Sequence, residues 1–211
     1  MICVEVINID IDMKSSRTNV LFICLLVILS EIYAQESTWR EMPYFLKGYE
    51  KQYKKSPKEA ALSWFQDARF GLFVHWGPAS LYGQGEWVMY NNRIPIKEYE
   101  QKAREFKGDK FNAQDYVNLA LDANMKYITF VIKHHDGFAL WDSKASDYNS
   151  VKYPSGRDFL KELSIACKKA GLGLFIYYSV GLDWHHPYYI PNTMYDPARP
   201  HYAKTPEEYK Y

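Results

Sequence analysis

The strongest constraint on the fold of this chain is a repeated pattern of buried-type strands separated by helices. Apolar runs rich in β-branched and aromatic residues occupy residues 70–77, 126–133 and 172–179. Continuous runs of this kind are typical of parallel strands that are buried on both faces. Helical patterns occupy residues 57–65, 96–106, 112–124 and 157–170. The alternation of strands and helices predicts an α/β fold built from parallel βα units.

The helical patterns also predict which side chains face the core. Residues 96–106 are mostly charged, so we expect that helix to lie largely at the surface. The stripe expected to be buried in residues 112–124 consists of Tyr116, Leu119, Ala120 and Ala123. The inward face expected in residues 157–170 consists of Phe159, Leu160, Leu163, Ala166 and Cys167. Gly171 is expected to end that last helix, because glycine accepts the left-handed backbone of a helix C-terminus.

Composition excludes several classes of protein. Hydrophobic residues make up 47% of the 211 residues, which is enough for a packed core and argues against a disordered chain. The formal net charge is +1, so no electrostatic signal points to nucleic acid or to an anionic membrane as a partner. Aromatic residues make up 17% of the chain. Aromatic rings at that density favour a ligand on which they can stack, and sugar rings are one candidate.

The N-terminal residues 1–34 have the pattern of a leader with a signal peptide. A short basic segment begins at Met13, an apolar run of ten residues follows at positions 20–29, and Ala34 offers a small residue for cleavage. Residues 1–12 carry three acidic residues and no basic one, so we expect translation to start at Met13. The chain is therefore predicted to be exported, with no membrane segment after cleavage. Since Cys3 and Cys24 lie in the leader, Cys167 has no partner for an internal disulfide.

Each predicted strand ends in a polar or aromatic cluster. His75 and Trp76 follow the first strand, His134, His135 and Asp136 follow the second, and the third ends in Tyr177, Tyr178 and Ser179. In βα barrels the C-terminal strand ends face the active site. The three clusters therefore predict one functional site. A closed barrel needs eight strands, so three strands account for only part of one.

The chemistry of these clusters leaves alternatives open. A histidine at the end of an apolar run, such as His75, is often a core residue. Adjacent residues of a strand point to opposite faces, so His134 and His135 could share a metal ion only where the strand has ended and twisted. No zinc-type spacing of histidine or cysteine is present, so hydrogen bonds from neutral imidazoles to sugar hydroxyls are the favoured interpretation. The loop residues Trp184, His185 and His186 are expected at the rim of the site. The carboxylates that could take part in glycoside hydrolysis, which the sequence cannot pair, are Glu86, Asp136, Asp142 and Asp183.

Several long blocks closely resemble glycoside hydrolase family 29, the α-L-fucosidases. The blocks, in the order and spacing of that family, are W-F-Q-D-A-R-F-G-L-F-V-H-W-G at 64–77, E-W at 86–87, K-H-H-D-G-F-A-L-W at 133–141, D-Y-N-S at 147–150, G-R-D at 156–158 and Y-Y-S at 177–179. The likeness covers about residues 40–190. It implies a (β/α)8-like TIM barrel of which only about the first three βα units are present, so that residues 35–211 form the N-terminal portion of a catalytic barrel.

The resemblance also implies roles for single residues. His75, His134 and Trp87 fall on positions that bind the fucose hydroxyls or pack against the sugar ring, and His135 and Tyr177 fall on further positions of the sugar pocket. Glu86 matches a pocket carboxylate whose assignment as the acid/base varies within the family. The substrates implied are fucosylated glycans and glycoconjugates, with no metal and no other cofactor, and the full-length form could be a homo-oligomer.

One departure from the family bears on activity. The nucleophile of these retaining enzymes is an aspartate at the end of the next barrel strand, and this position falls beyond Tyr211. The chain alone is therefore expected to be inactive. Two alternatives to an α-L-fucosidase remain: a non-catalytic fucose-binding remnant, and a metal-dependent hydrolase that uses His75, His134, His135 and Asp136.

Overall fold

The computed structural model describes residues 41–186 of the chain. The leader, its apolar run, Met13 and the two leader cysteines lie outside the described residues. The α-helices are α1 Glu50–Lys55, α2 Pro57–Ala68, α3 Val88–Asn91, α4 Ile96–Ala103, α5 Ala113–Asp122 and α6 Phe159–Ala170. The strands are β1 Leu72–Val74, β2 Tyr127–Lys133 and β3 Gly173–Tyr178, and short 3-10 helices cover Tyr44–Leu46 and Pro78–Tyr82.

The three strands form one parallel sheet in the order β1-β2-β3. Val74 pairs with Phe130 of β2, and Phe130 pairs with Ile176 of β3. The predicted α/β class and the parallel strands are confirmed. Strand β1 is shorter than the sequence predicts, because its pairing with β2 ends at Val74; the ring of the next residue, His75, lies 5.6 Å from that of His134.

Local sequence explains where the two longest helices begin and end. Ser56 caps α2 by accepting a hydrogen bond from the backbone N–H of Glu59, and Pro57 occupies the first turn, where no backbone donor is needed. Asp158 caps α6 by accepting from the N–H of Lys161 at 2.8 Å. Gly171 ends α6 with a φ of 74°, as the sequence predicts.

The main core lies between one face of the sheet and helices α5 and α6. Ile128 and Phe130 of β2 are fully buried there, together with Phe159, Leu163 and Cys167 of α6. The predicted inward face of α6 is therefore confirmed. The stripe predicted for α5 is partly wrong, since Leu119 is 54% exposed, Ala123 is exposed just after the helix ends, and the buried residues are Val117 and Ala120. Val117 and Ala120 are the residues of this helix that pack into the main core, and Leu119 faces away from it.

Helix α4 is less superficial than its charges suggest. Tyr99 and Ala103 are buried on its inner side, and Phe106 follows them into the main core. Tyr99 belongs to a second, smaller core beside the C-terminal strand ends, whose buried members are Ala79, Val88, Met89, Ile94, Tyr99 and Trp184. This second core supports the loop that carries Glu86 and Trp87.

The other face of the sheet carries rings toward its C-terminal end. Phe73 of β1 lies 6.1 Å from Tyr177 of β3 and 4.7 Å from His75, measured between ring centroids. Phe73 remains 53% exposed, so this face is incompletely covered within residues 41–186. No helix in this part of the chain is long and apolar enough to cross a membrane.

Candidate functional site

A cavity of about 160 Å³ opens at the C-terminal ends of β1 and β2. Its walls come from the turn after β1, the loop before α3 and the end of β2, and they include His75, Gly77, Glu86, His134 and Asp136. Ligand pockets for drug-sized molecules measure about 300–1,000 Å³. The smaller volume suits a single sugar ring.

Three of the residues singled out in the sequence meet in this cavity. One side-chain donor or acceptor atom from each of His75, Glu86 and His134 lies within 4.8 Å of the other two. The rings of His75 and His134 are 5.6 Å apart in an edge-on arrangement. Two imidazoles and a carboxylate at this spacing can bind a cluster of sugar hydroxyls, and they can also ligate a divalent metal ion.

Two further candidates border the same group. Trp87 is 38% exposed, and its ring lies 6.5 Å from His134 and 5.0 Å from His135. Tyr177 stacks on His134 with a ring separation of 5.9 Å and an angle of 22°. An indole with one open face beside a polar cavity is suited to packing against the apolar face of a sugar.

His135 is placed differently from the other candidates. It is only 7% exposed and lies beneath Trp87, and like Trp87 and Tyr177 it borders the cavity without lining it. Its Nδ1 lies 2.6 Å from Ser179 Oγ, and this hydroxyl donates its single proton to the carbonyl of Leu182 at 2.7 Å. Ser179 can therefore only accept from His135, which fixes the proton on Nδ1 and leaves Nε2 as an acceptor. Burial lowers the pKa of His135, and the Lys133 ammonium lowers it further.

His134 is held neutral by its surroundings. Burial, followed by the neighbouring His135 and His75, lowers its pKa from 6.5 to about 4. Its Nδ1 is buried and has no hydrogen-bond partner among the described residues. A neutral imidazole offers both a donor and an acceptor, which is the form that can read a hydroxyl group.

We expect His134 to titrate at about pH 4 in the folded chain. The pKa of His134 in the folded chain lies below the unfolded value of 6.5, so the unfolded chain binds this proton more readily. The contribution of neutral His134 to stability is therefore fully present above pH 6.5, and it is lost as the pH falls through 4. Nuclear magnetic resonance of ¹⁵N-labelled imidazoles would follow the titration of the His134 ring. A His134 midpoint near 6.5 would show that the ring is solvated.

Most of the candidate carboxylates are already engaged. Asp136 is buried, accepts a hydrogen bond from the Tyr99 hydroxyl at 2.7 Å and another from the N–H of Phe138, and has its pKa raised by burial. Asp183 forms an ion pair with Lys133 at 2.8 Å, and Asp142 forms one with Lys144 at the surface. Of the four carboxylates considered, only Glu86 faces the cavity with no hydrogen bond or ion pair to the residues described.

Two buried tyrosines near Asp136 should respond oppositely to loss of the hydroxyl group. The Tyr99 hydroxyl bonds to Asp136, so Tyr99→Phe should lower the free energy of unfolding by about 1–3 kcal/mol. The Tyr148 hydroxyl is buried with no partner in residues 41–186, so Tyr148→Phe should leave stability unchanged or raise it by about 1 kcal/mol. Urea unfolding of the two matched variants followed by circular dichroism tests both signs. Equal losses in the two variants would contradict the expectation.

The loop after β3 contributes more than the sequence suggested. Trp184 was expected at the rim, but it is 2% exposed and packs against Trp87 at 5.3 Å and His135 at 5.2 Å. His185 is also anchored, since its Nε2 lies 2.6 Å from Glu100 and its ring stacks on Tyr148. The one available signal was the position of the loop, because it follows a strand end like the other site residues.

Known proteins resemble this chain in both sequence and structure. A family model described as Alpha-L-fucosidase matches residues 40–210. The tissue alpha-L-fucosidase of Macaca fascicularis is 31% identical over 183 residues, which cover 79% of this chain and 38% of that protein.

Solved structures give the same result. Alpha-L-fucosidase isoenzyme 1 from Paenibacillus thiaminolyticus superimposes with a TM-score of 0.59 and 40% identity, covering 61% of this chain and 30% of that one. A variant of the alpha-L-fucosidase AlfC from Lactobacillus casei, solved in complex with Fuca(1,6)GlcNAc, gives a TM-score of 0.56 and 40% identity over 59% of this chain and 42% of that one. The chain spans less than half the length of these relatives. The family model covers most of the chain and relatives of the same kind agree with it, so the chain belongs to the α-L-fucosidase family.

Proposed function

We propose that this chain recognises a terminal α-L-fucosyl residue of a glycan and supplies the sugar-binding part of a retaining α-L-fucosidase. The observation that carries the proposal is the convergence of His75, Glu86 and His134 on one cavity at the strand ends. In this proposal His75 and His134 bind the sugar hydroxyls, and Trp87 packs against the ring. Tyr177 supports His134 by stacking, and His135 lies behind Trp87 with Nε2 as an acceptor.

Hydrolysis with retention requires two carboxylates about 5–5.5 Å apart across the scissile bond. Glu86 is the candidate for the first of them, as acid/base or as a pocket carboxylate. The engagement of Asp136, Asp142 and Asp183 elsewhere supports a nucleophile supplied from outside residues 41–186. We infer that residues 35–211 form part of a (β/α)8-like barrel and that a part of this barrel outside residues 41–186 supplies the second carboxylate.

The substrate class and the location follow from the same proposal. A fucosidase relative was solved with Fuca(1,6)GlcNAc, which supports fucosylated glycans as the substrates here. The leader pattern at residues 1–34 supports export, and one relative is named a plasma alpha-L-fucosidase. A homo-oligomeric full-length form is compatible with this proposal.

Isothermal titration of the full chain with L-fucose tests the proposed function. We expect saturable binding of L-fucose and none of D-fucose, because the enantiomer has the same composition but cannot place its hydroxyls on the same three side chains. D-fucose is therefore the matched control. Equal heats for the two sugars, or none for either, would overturn the proposal.

A metal-dependent hydrolase is the second candidate, because the cluster of His75, Glu86 and His134 could hold an ion. Two of the metal ligands expected from the sequence are engaged elsewhere, since Asp136 accepts a hydrogen bond from Tyr99 and His135 Nδ1 bonds to Ser179. We expect EDTA to leave L-fucose binding unchanged. Loss of binding in EDTA, with recovery on addition of zinc, would favour the metal site over the direct sugar site.

A further inference from the structure

We propose that residues 179–185, here called the clamp segment, position Trp87 for sugar binding, both directly and through the His135 ring beneath it, with Trp184 as the principal positioning residue. The inference rests on the proposed function. None of these residues needs to touch the sugar, because each acts through Trp87 or His135.

The first observation is the packing of Trp184. Its indole is almost fully buried between three rings, at 5.3 Å from Trp87, 5.2 Å from His135 and 5.8 Å from Tyr90. Its backbone N–H also donates to the carbonyl of His135 at 2.6 Å. Trp87 is 38% exposed, so the rings packed against it, of which Trp184 is one of the two nearest, hold its orientation.

The second observation is the hydrogen bonding of Ser179. The hydroxyl connects His135 Nδ1 to the carbonyl of Leu182, as described above. The clamp segment therefore sets both the position of the His135 ring and the nitrogen that carries its proton. Because Nδ1 of His135 carries the proton that bonds to Ser179, Nε2 on the other side of the ring is left as a defined acceptor.

The third observation is that the clamp segment is itself anchored by two contacts and closely packed against the end of β2. Lys133 at the end of β2 pairs with Asp183, and Glu100 of α4 contacts His185 Nε2 at 2.6 Å. Gly137 has a φ of 80°, and a Cβ at this position would lie 2.6 Å from Asp183 Oδ1 and 2.8 Å from His185 Cβ. Glycine at 137 thus permits the close approach of the clamp segment to the end of β2.

The fourth observation separates this role from ordinary core packing. Trp64 is also buried, at 8% exposure, but it lies at the opposite end of the sheet against Tyr127 and Gly173, the first residues of β2 and β3. It is therefore a matched control of the same residue type. A merely structural Trp184 should behave like Trp64 when it is replaced.

The test is titration of L-fucose into the full chain and its variants. We expect Trp184→Ala to weaken binding about tenfold, equivalent to about 1.4 kcal/mol. Trp184→Phe should recover most of the affinity, whereas Trp64→Ala should lower Tm and leave the affinity unchanged. In a Trp87→Ala background the further loss from Trp184→Ala should shrink to below about threefold, because coupled residues are not additive. The inference would be overturned if Trp184→Ala bound L-fucose as tightly as the wild type. It would also be overturned if Trp184→Ala caused the same tenfold loss in the wild-type and in the Trp87→Ala background.

A second measurement does not depend on the sugar. The Trp87 indole N–H resonance should shift in Trp184→Ala and stay in place in Trp64→Ala, and Ser179→Ala should abolish the single Nδ1–H tautomer of His135. If the wild-type chain fails to bind L-fucose while these changes occur, the proposed function is contradicted, but the role of the clamp segment in positioning Trp87 and His135 is still supported. If the resonances do not move, the positioning role is excluded, whatever the sugar result.

Discussion

Replacement of His134 by alanine should weaken the binding of L-fucose about thirtyfold. The ring is neutral and half-buried, and it adjoins His75 and Glu86 at the cavity. Removing one partner leaves the sugar hydroxyl and the surrounding polar groups without a hydrogen bond, which costs about 1–3 kcal/mol for a buried group. A loss of about 2 kcal/mol corresponds to roughly thirtyfold in the dissociation constant.

His186→Ala is the control for this measurement, because His186 lies outside the cavity walls. We expect it to bind L-fucose as the wild type does. His134→Gln should fall between the two, since an amide offers a donor and an acceptor but not at the same positions as an imidazole. Wild-type affinity in His134→Ala would remove this residue from the sugar site, and the proposal would then have to rest on His75 and Glu86 alone.

The strands and the strand-end clusters could be predicted because they depend on local sequence. A run such as residues 126–133 has no charged side chain between Lys126 and Lys133, so burial of β2 follows from composition. The parallel arrangement then brings His75, His134 and Tyr177 to one edge of the sheet, since carboxyl ends of parallel strands share that edge. Glu86 and Trp87 could be added through the family motif.

The contacts that hold the site could not be predicted because they join distant parts of the chain. Trp184 is separated from Trp87 by almost a hundred positions, and the sequence of its loop has no periodic pattern that would predict burial of Trp184. Tyr99 lies on a helix whose charges indicate exposure, but its hydroxyl supplies the hydrogen bond of buried Asp136. The same reason applies to the orientation of α5, where Leu119 and Val117 are both apolar and only packing selects the inward one.

The chain should show no turnover of 4-nitrophenyl α-L-fucopyranoside, because only one of the candidate carboxylates in residues 41–186 faces the cavity without a partner. A retaining glycosidase forms a bond between a carboxylate oxygen and the anomeric carbon while an acid protonates the leaving oxygen, so one carboxylate cannot perform both steps. Glu86 is free to take one role. Asp136 is buried under two hydrogen bonds, and Asp183 is neutralised by Lys133 at the base of the clamp segment. Neither can approach an anomeric carbon without breaking contacts that support the site.

The assay compares the full 211-residue chain with the Paenibacillus thiaminolyticus enzyme as the positive control, at equal concentrations of folded protein. The binding titration with L-fucose shows in parallel that the sugar pocket is formed, so that absence of turnover reports on chemistry and not on misfolding. We expect binding without hydrolysis. Release of 4-nitrophenol by the chain, abolished in Glu86→Gln and in either Asp136→Asn or Asp183→Asn, would place both carboxylates within this sequence. If Asp183→Asn is the change that abolishes turnover, the clamp segment has a direct catalytic part, because Asp183 belongs to it.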